Sequence, residues 1–160
     1  MKKLWKLSAL ALGVLLLAGC ASQEETTEPL PESMDQETVL SAGESILNEL
    51  LAGQYQRVYD EFREDIKENL TPESVQDLVE PAFQEAGDYQ EIKTADVIGS
   101  TEGEEHGIAR FLCTFSEEEV AINVAFDPEM DLIGLSAGVQ SRGEWSFDNL
   151  VSNVTGFFGG

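Results

Sequence analysis

Few residues of this chain are equipped for covalent, acid–base or metal chemistry. Among its 160 residues stand two cysteines and one histidine, beside 31 Asp and Glu. A nucleophilic cysteine needs a basic neighbour to hold it as thiolate. Cys113 lies inside Phe111-Leu112-Cys113-Thr114-Phe115 with no such neighbour, and reads as a buried, inert thiol. His106 sits in Gly103-Glu104-Glu105-His106-Gly107. A base oriented by a carboxylate could be built that way, but glycine on both sides marks a solvated bend. Asp127, Glu129 and Asp131 alternate along a turn, as oxygen ligands for Ca²⁺ would. The helix–loop–helix calcium pattern, however, demands Gly and Glu where Leu132 and Gly138 stand. Carboxylate pairs suited to glycoside hydrolysis arise by chance in so acidic a chain. No catalytic residue, metal site or cofactor is expected.

The remaining cysteine, Cys20, has the most specific surroundings. Lys2, Lys3 and Lys6 form a basic start, and Leu7 to Leu17 follow as an apolar run broken only by Ser8 and Gly13. The run is well short of the roughly 20 residues that span a bilayer as a helix, and has the length of a secretory leader. It ends in Leu17-Ala18-Gly19-Cys20, then Ala21-Ser22. This resembles the lipobox of bacterial lipoproteins. The resemblance implies that the Cys20 thiol receives a diacylglycerol, palmitate among its acyl chains, and that the peptide is cut just before it. Small side chains at Ala18 and Gly19 suit a narrow protease site, while the apolar run holds the bond at the membrane surface. An incidental Cys20 behind an ordinary signal peptide would leave the four lipobox positions unexplained. Two acyl chains, at about 0.8 kcal/mol per buried methylene, make a stable anchor. The expected location is the outer face of the cytoplasmic membrane, anchored and not spanning.

Charge narrows the partners. Nine Lys and Arg against 31 acids give a net −22. Nucleic acid is excluded, because binding it requires cations that neutralise phosphate. Every acid lies beyond Cys20 while three of the lysines precede it, so a processed chain is more acidic still. No polybasic segment remains to hold anionic lipid, and the lipid must anchor alone. Two cysteines and one histidine exclude a disulfide scaffold and a Cys/His zinc site.

The organisation expected is a leader over 1–19, then Cys20 and a flexible acidic tether to residue 36. An α+β domain follows over 37–136, and a glycine- and aromatic-rich tail over 137–160. The tether carries two prolines and four Glu with few apolar side chains, too little to offset its ordering entropy. Three helices come next. Over about 36–52, Val39, Ala42, Ile46 and Leu50 recur at helical spacing, and Gly53 supplies a stop. Over about 54–69, Tyr55, Val58, Tyr59, Phe62 and Ile66 share a face. The third begins at Thr71-Pro72-Glu73 and ends at Gly87, with Pro81 inside it predicting a kink or short break. Beyond Asp88 the period becomes two. Strands are expected over about 89–98, 108–115 and 120–126, then 132–135, with turns at 116–119 and 127–130. Helices followed by an antiparallel meander imply three N-terminal helices packed on a curved sheet of about four strands.

The pieces Leu51-Ala52-Gly53-Gln54-Tyr55, Leu70-Thr71-Pro72-Glu73, Ala86-Gly87-Asp88-Tyr89 and the stretch from Phe126 to Leu135 occur in an order similar to a known family. It resembles a domain of unknown function found in lipoproteins of Gram-positive bacteria and ahead of some α/β hydrolases, within the nuclear transport factor 2-like (cystatin-like α+β) group. The resemblance covers about 37–136. It implies a cone-like sheet wrapped around a helix, often with a cavity between them, and no particular reaction.

The tail carries Trp145, Phe147, Leu150, Val151, Val154, Phe157 and Phe158. It is expected to fold back on the domain; the alternative is an exposed patch for a partner or a second copy. The function expected is that of a lipid-anchored, extracytoplasmic, non-enzymatic lipoprotein binding a small ligand or an envelope protein. Two alternatives stand beside it. One is a cavity enzyme using an acid of raised pKa, which needs a carboxylate among inward-facing residues such as Val120, Ile122, Val124, Phe126, Phe62 and Ile66. The other is a homodimeric interaction module.

Overall fold

The computed structural model describes residues 28–100 and 103–140. Helix α1 (Gln36–Leu51) starts where the Asp35 carboxylate accepts the Thr38 N–H at 2.9 Å. Its apolar stripe, Val39, Ile46, Leu47 and Leu50, is buried. The second predicted helix is two: α2 (Tyr55–Glu61) and α3 (Glu64–Lys67). The break falls at Phe62, whose backbone is extended and bridges Leu132 in parallel, while the Arg63 N–H donates to the Leu132 carbonyl at 3.0 Å. Two residues thus leave the helical path to pair with the start of a strand. Helix α4 (Pro72–Ala86) begins as expected, with Thr71 Oγ1 accepting the Ser74 N–H at 3.1 Å and Pro72 in the first turn. It stops at Gly87, at φ 89°, a conformation that glycine adopts without steric cost. No break occurs at Pro81: the helix runs through it, and the residue faces solvent, where water can serve the carbonyl its ring leaves unpaired.

Strands β1 (Tyr89–Ser100), β2 (His106–Phe115), β3 (Glu119–Phe126) and β4 (Leu132–Gln140) form one antiparallel sheet in the order β1-β2-β3-β4. β4 continues to Gln140, past the domain limit expected at 136. The helices pack on one face. There the alternate side chains Ala109, Phe111 and Cys113 of β2, and Val120, Ile122 and Val124 of β3, meet α1, α2 and α4 in a single core. Gly43 brings α1 close to the sheet, since a Cβ there would sit 2.4 Å from that of Ala109. Among the described residues the fold is therefore α+β, with four helices on a four-stranded antiparallel sheet.

Part of the expected tether belongs to this body. The Gly99 N–H donates to the Glu28 carbonyl at 3.0 Å, Pro31 is buried, and Met34 joins the core. Met34 and Leu30 bury enough apolar surface to hold the approach to α1 on the domain. Residues 1–27 and 141–160 lie outside the described residues. Among those described, no helix is long and apolar enough to cross a membrane.

Candidate functional site

Among the described residues, no helix lies on the sheet's second face. Across it lie Ile98, Asp96 and Thr94 of β1, Ile108, Arg110 and Leu112 of β2, then Ala125, Asn123 and Ala121 of β3 with Gly134, Ser136 and Gly138 of β4. A groove of about 280 Å³ opens here, lined by Thr94, Asp96, Arg110, Phe111, Leu112, Ala121 and Asn123. Its floor is apolar because Leu112 and Ala121 face each other across the β2–β3 ladder. One wall is an ion pair between registered neighbours. Arg110 Nε donates to Asp96 Oδ1 at 2.8 Å, and Nη2 to Oδ2, in a planar two-point contact. Asn123 Nδ2 reaches Ser136 Oγ at 3.1 Å across the β3–β4 ladder. The groove can thus take an apolar group and offer it polar contacts at the rim.

A second cluster gathers at the end of the sheet where the α2–α3 break, the β1–β2 hairpin and the β3–β4 turn meet. Arg63 donates to Asp65 at 2.7 and 3.0 Å, to Glu104 at 2.6 and 3.1 Å, and to Asp127 at 3.1 Å. These carboxylates, Asp65 foremost, raise the Arg63 pKa above its ordinary value. The Arg63 hydrogen bond in turn lowers that of Asp65. Asp127 is 2% exposed, and its other oxygen accepts the Asp131 N–H at 2.9 Å. Its carboxylate serves the turn and Arg63, which accounts for its place in the acidic alternation at 127–131. Among the described residues no three His, Cys, Asp or Glu are grouped to hold a metal.

The other residues singled out by type are dispersed. Cys113 is buried on the helix side, and burial pushes its thiol up to about 11, the opposite of activation. His106 opens β2, with Nδ1 donating to the Glu104 carbonyl at 2.7 Å, so one ring nitrogen is engaged in closing the hairpin. Cys20, Leu17, Ala18 and Gly19 lie outside the described residues.

The inward positions Val120, Ile122, Val124, Phe126 and Phe62 are buried in the core as expected, and Ile66 packs at its margin. The space between sheet and helices is filled by side chains such as Phe111, Leu47, Leu50 and Ile122, each under 2% exposed except Phe111 at 2%. One carboxylate oxygen, Glu49 Oε2 on α1, is buried without a hydrogen-bond partner among the described residues. It lies on the helix side, with the sheet between it and the groove. Sequence periodicity identified neither Arg63 nor the groove. Arg63 falls off the apolar face that Tyr55, Val58, Tyr59, Phe62 and Ile66 define, and the groove depends on which small residues the register brings together.

Residues 43–135 match a family described as protein of unknown function, DUF3887. The fold is similar to the NMR structure of a protein from Ruminococcus gnavus ATCC 29149, with a TM-score of 0.59 and 22% identity, covering 69% of this chain and 96% of that one. At that identity the likeness bears on the fold alone. No curated protein matches.

Proposed function

We propose, from the premise that this chain belongs to the DUF3887 family of proteins of unknown function, that it is a lipid-anchored extracytoplasmic lipoprotein whose domain binds a small ligand or an envelope protein. Cys20 carries the diacylglycerol, and the acidic body stands off the outer face of the cytoplasmic membrane. The fold is read as a member of the nuclear transport factor 2-like group, on the strength of the helix-backed antiparallel meander.

The observation that carries the binding role is the groove on the helix-free face, with its apolar floor and its Arg110–Asp96 wall. The non-enzymatic reading is supported by the state of the reactive groups. Cys113 is buried and held as thiol, His106 closes a hairpin, and Asp127 is tied to Arg63. A cavity enzyme would need a carboxylate facing an open sheet–helix cavity; the inward positions Val120, Ile122, Val124, Phe126 and Phe62 are apolar and packed together, and the buried Glu49 Oε2 stands on α1.

The binding role is tested by photocrosslinking in the native envelope, with a photoreactive residue replacing Thr94 at the groove wall. An adduct with a small molecule or an envelope protein is expected, weakened by Leu112→Glu. The absence of any adduct, or one indifferent to Leu112→Glu, contradicts it. Steady turnover of an ester, peptide or glycoside by the purified full chain would contradict the non-enzymatic part.

A further inference from the structure

Among the described residues, strand β1 is an edge of the sheet. It pairs with β2 on one side, and on the other meets only Glu28, which bridges Gly99 near its end. Every residue from Tyr89 to Asp96 is exposed, and Tyr89 at 40% and Ile92 at 36% are the large apolar side chains most open to water there. Such an edge offers its backbone groups to another strand.

The register decides which strand can answer it. Gln90 and Lys93 have no partner on β2, so Tyr89, Ile92 and Ala95 fall opposite Phe115, Cys113 and Phe111 at intervals of three. Those partners belong to the core, which puts the three side chains on the helix side of the sheet. The Gly99 N–H points away from β2, to the Glu28 carbonyl. Alternation carries that outward direction to Val97 and Ala95, and past the extra residues to Ile92 and Tyr89. A regular strand turns its backbone outward at every second residue and does not match an interval of three. A copy of β1 does. Run antiparallel about a two-fold axis at Ile92, it sets Ile92 beside its counterpart and Tyr89 beside Ala95, twice.

Charge agrees with this register. Glu91 aligns with Thr114 and, through it, with Glu119 on the helix-free side, where the Lys93 ammonium pairs with Glu119. The two-fold axis places Glu91 of each chain beside Lys93 of the other. A slip of two residues either way would instead oppose Glu91 to Glu91 or Lys93 to Lys93, which is repulsive. Each chain carries a net −22, but at physiological salt charges more than about 8 Å apart are largely screened, and the facing pairs are closer than that.

We propose that β1 pairs with β1 of a second copy, antiparallel and centred on Ile92, so that two sheets join with their grooves on one side. The contact is short, of the weak class that buries less than about 1,200 Å².

Cysteine pairing of the full chain in its native envelope tests this. Facing residues in such a pair hold their Cα atoms about 5.5 Å apart, within disulfide range. Ile92→Cys should give a reducible product of doubled mass under mild oxidation, where the parent chain, its Cys113 buried, gives none. Co-expressed Tyr89→Cys and Ala95→Cys chains should join each other, and neither should join itself. Adding Glu91→Lys or Lys93→Glu to Ile92→Cys should cut the yield several-fold, and adding both should restore it. Recovery in the double reversal separates lost pairing from lost folding. A chain that stays monomeric, a doubled product indifferent to the reversals, a Tyr89→Cys chain that joins itself, or a cross-link to a different protein overturns the proposal. None of these outcomes bears on the binding role of the groove.

Discussion

Arg63 shows how a single cation can hold three segments together. Its guanidinium contacts Asp65, Glu104 and Asp127, of which only Asp127 is removed from water. The exposed pairs are worth little, whereas a buried carboxylate deprived of its cation is costly. Arg63→Leu should therefore destabilise the fold by about 2–3 kcal/mol, read from urea unfolding, while Asp65→Asn should change it far less. Since the Asp65 pKa lies below its ordinary value, the stability from that pair is present above the usual carboxylate range and lost as pH falls through the lowered value. Cys113 works in the other direction. Its thiol is raised from about 9 to about 11, so the fold loses stability as pH climbs through that window, because the unfolded thiol ionises first. Unfolding measured across that range should show the loss, and Cys113→Ala should flatten it. At pH 8 the native thiol should resist alkylation until the protein is denatured.

Helix ends and close approaches decide the elements. Thr71→Ala removes the side-chain acceptor for the Ser74 N–H and should cost about 1 kcal/mol in thermal or urea unfolding, with Thr71→Ser restoring most of it. Gly43→Ala adds a helix-favouring methyl but places it 2.4 Å from the Ala109 Cβ. Overpacking should outweigh the propensity gain, leaving a net loss of about 1–2 kcal/mol. The Thr71-Pro72-Glu73 start and the alternation of Val120 to Phe126 were legible in the sequence because cap chemistry and period-two burial are local signals. The split of the second helix was not. Phe62 and Ile66 keep helical spacing across it, and only Leu132, far along the chain, supplies the bridge and carbonyl that pull Phe62 and Arg63 out of the helix. Met34 was hidden for a related reason. A lone methionine in an acidic, proline-containing stretch has no periodicity, and its burial depends on the sheet it meets. The groove followed the same logic: Thr94, Leu112 and Ala121 come from three strands, and only their register makes them neighbours.

At the scale of the whole molecule, the proposed arrangement is an acidic body held by lipid at one end, with its working face on the helix-free side of the sheet. The proposed anchor rests on the order of the basic start, the short apolar run and the small residues before Cys20. The groove left a fainter trace, because the residues that line it come from three strands and follow no fixed spacing. Cys20→Ser should move the protein from the detergent-rich to the aqueous phase on temperature-induced detergent partition, without altering the unfolding midpoint of the domain. Intact mass spectrometry of the protein extracted from its native envelope goes to the centre of this account. The account predicts a chain that begins at Cys20 and carries the added mass of a diacylglycerol on it. A chain retaining residues 1–19, or one beginning elsewhere without lipid, would contradict it.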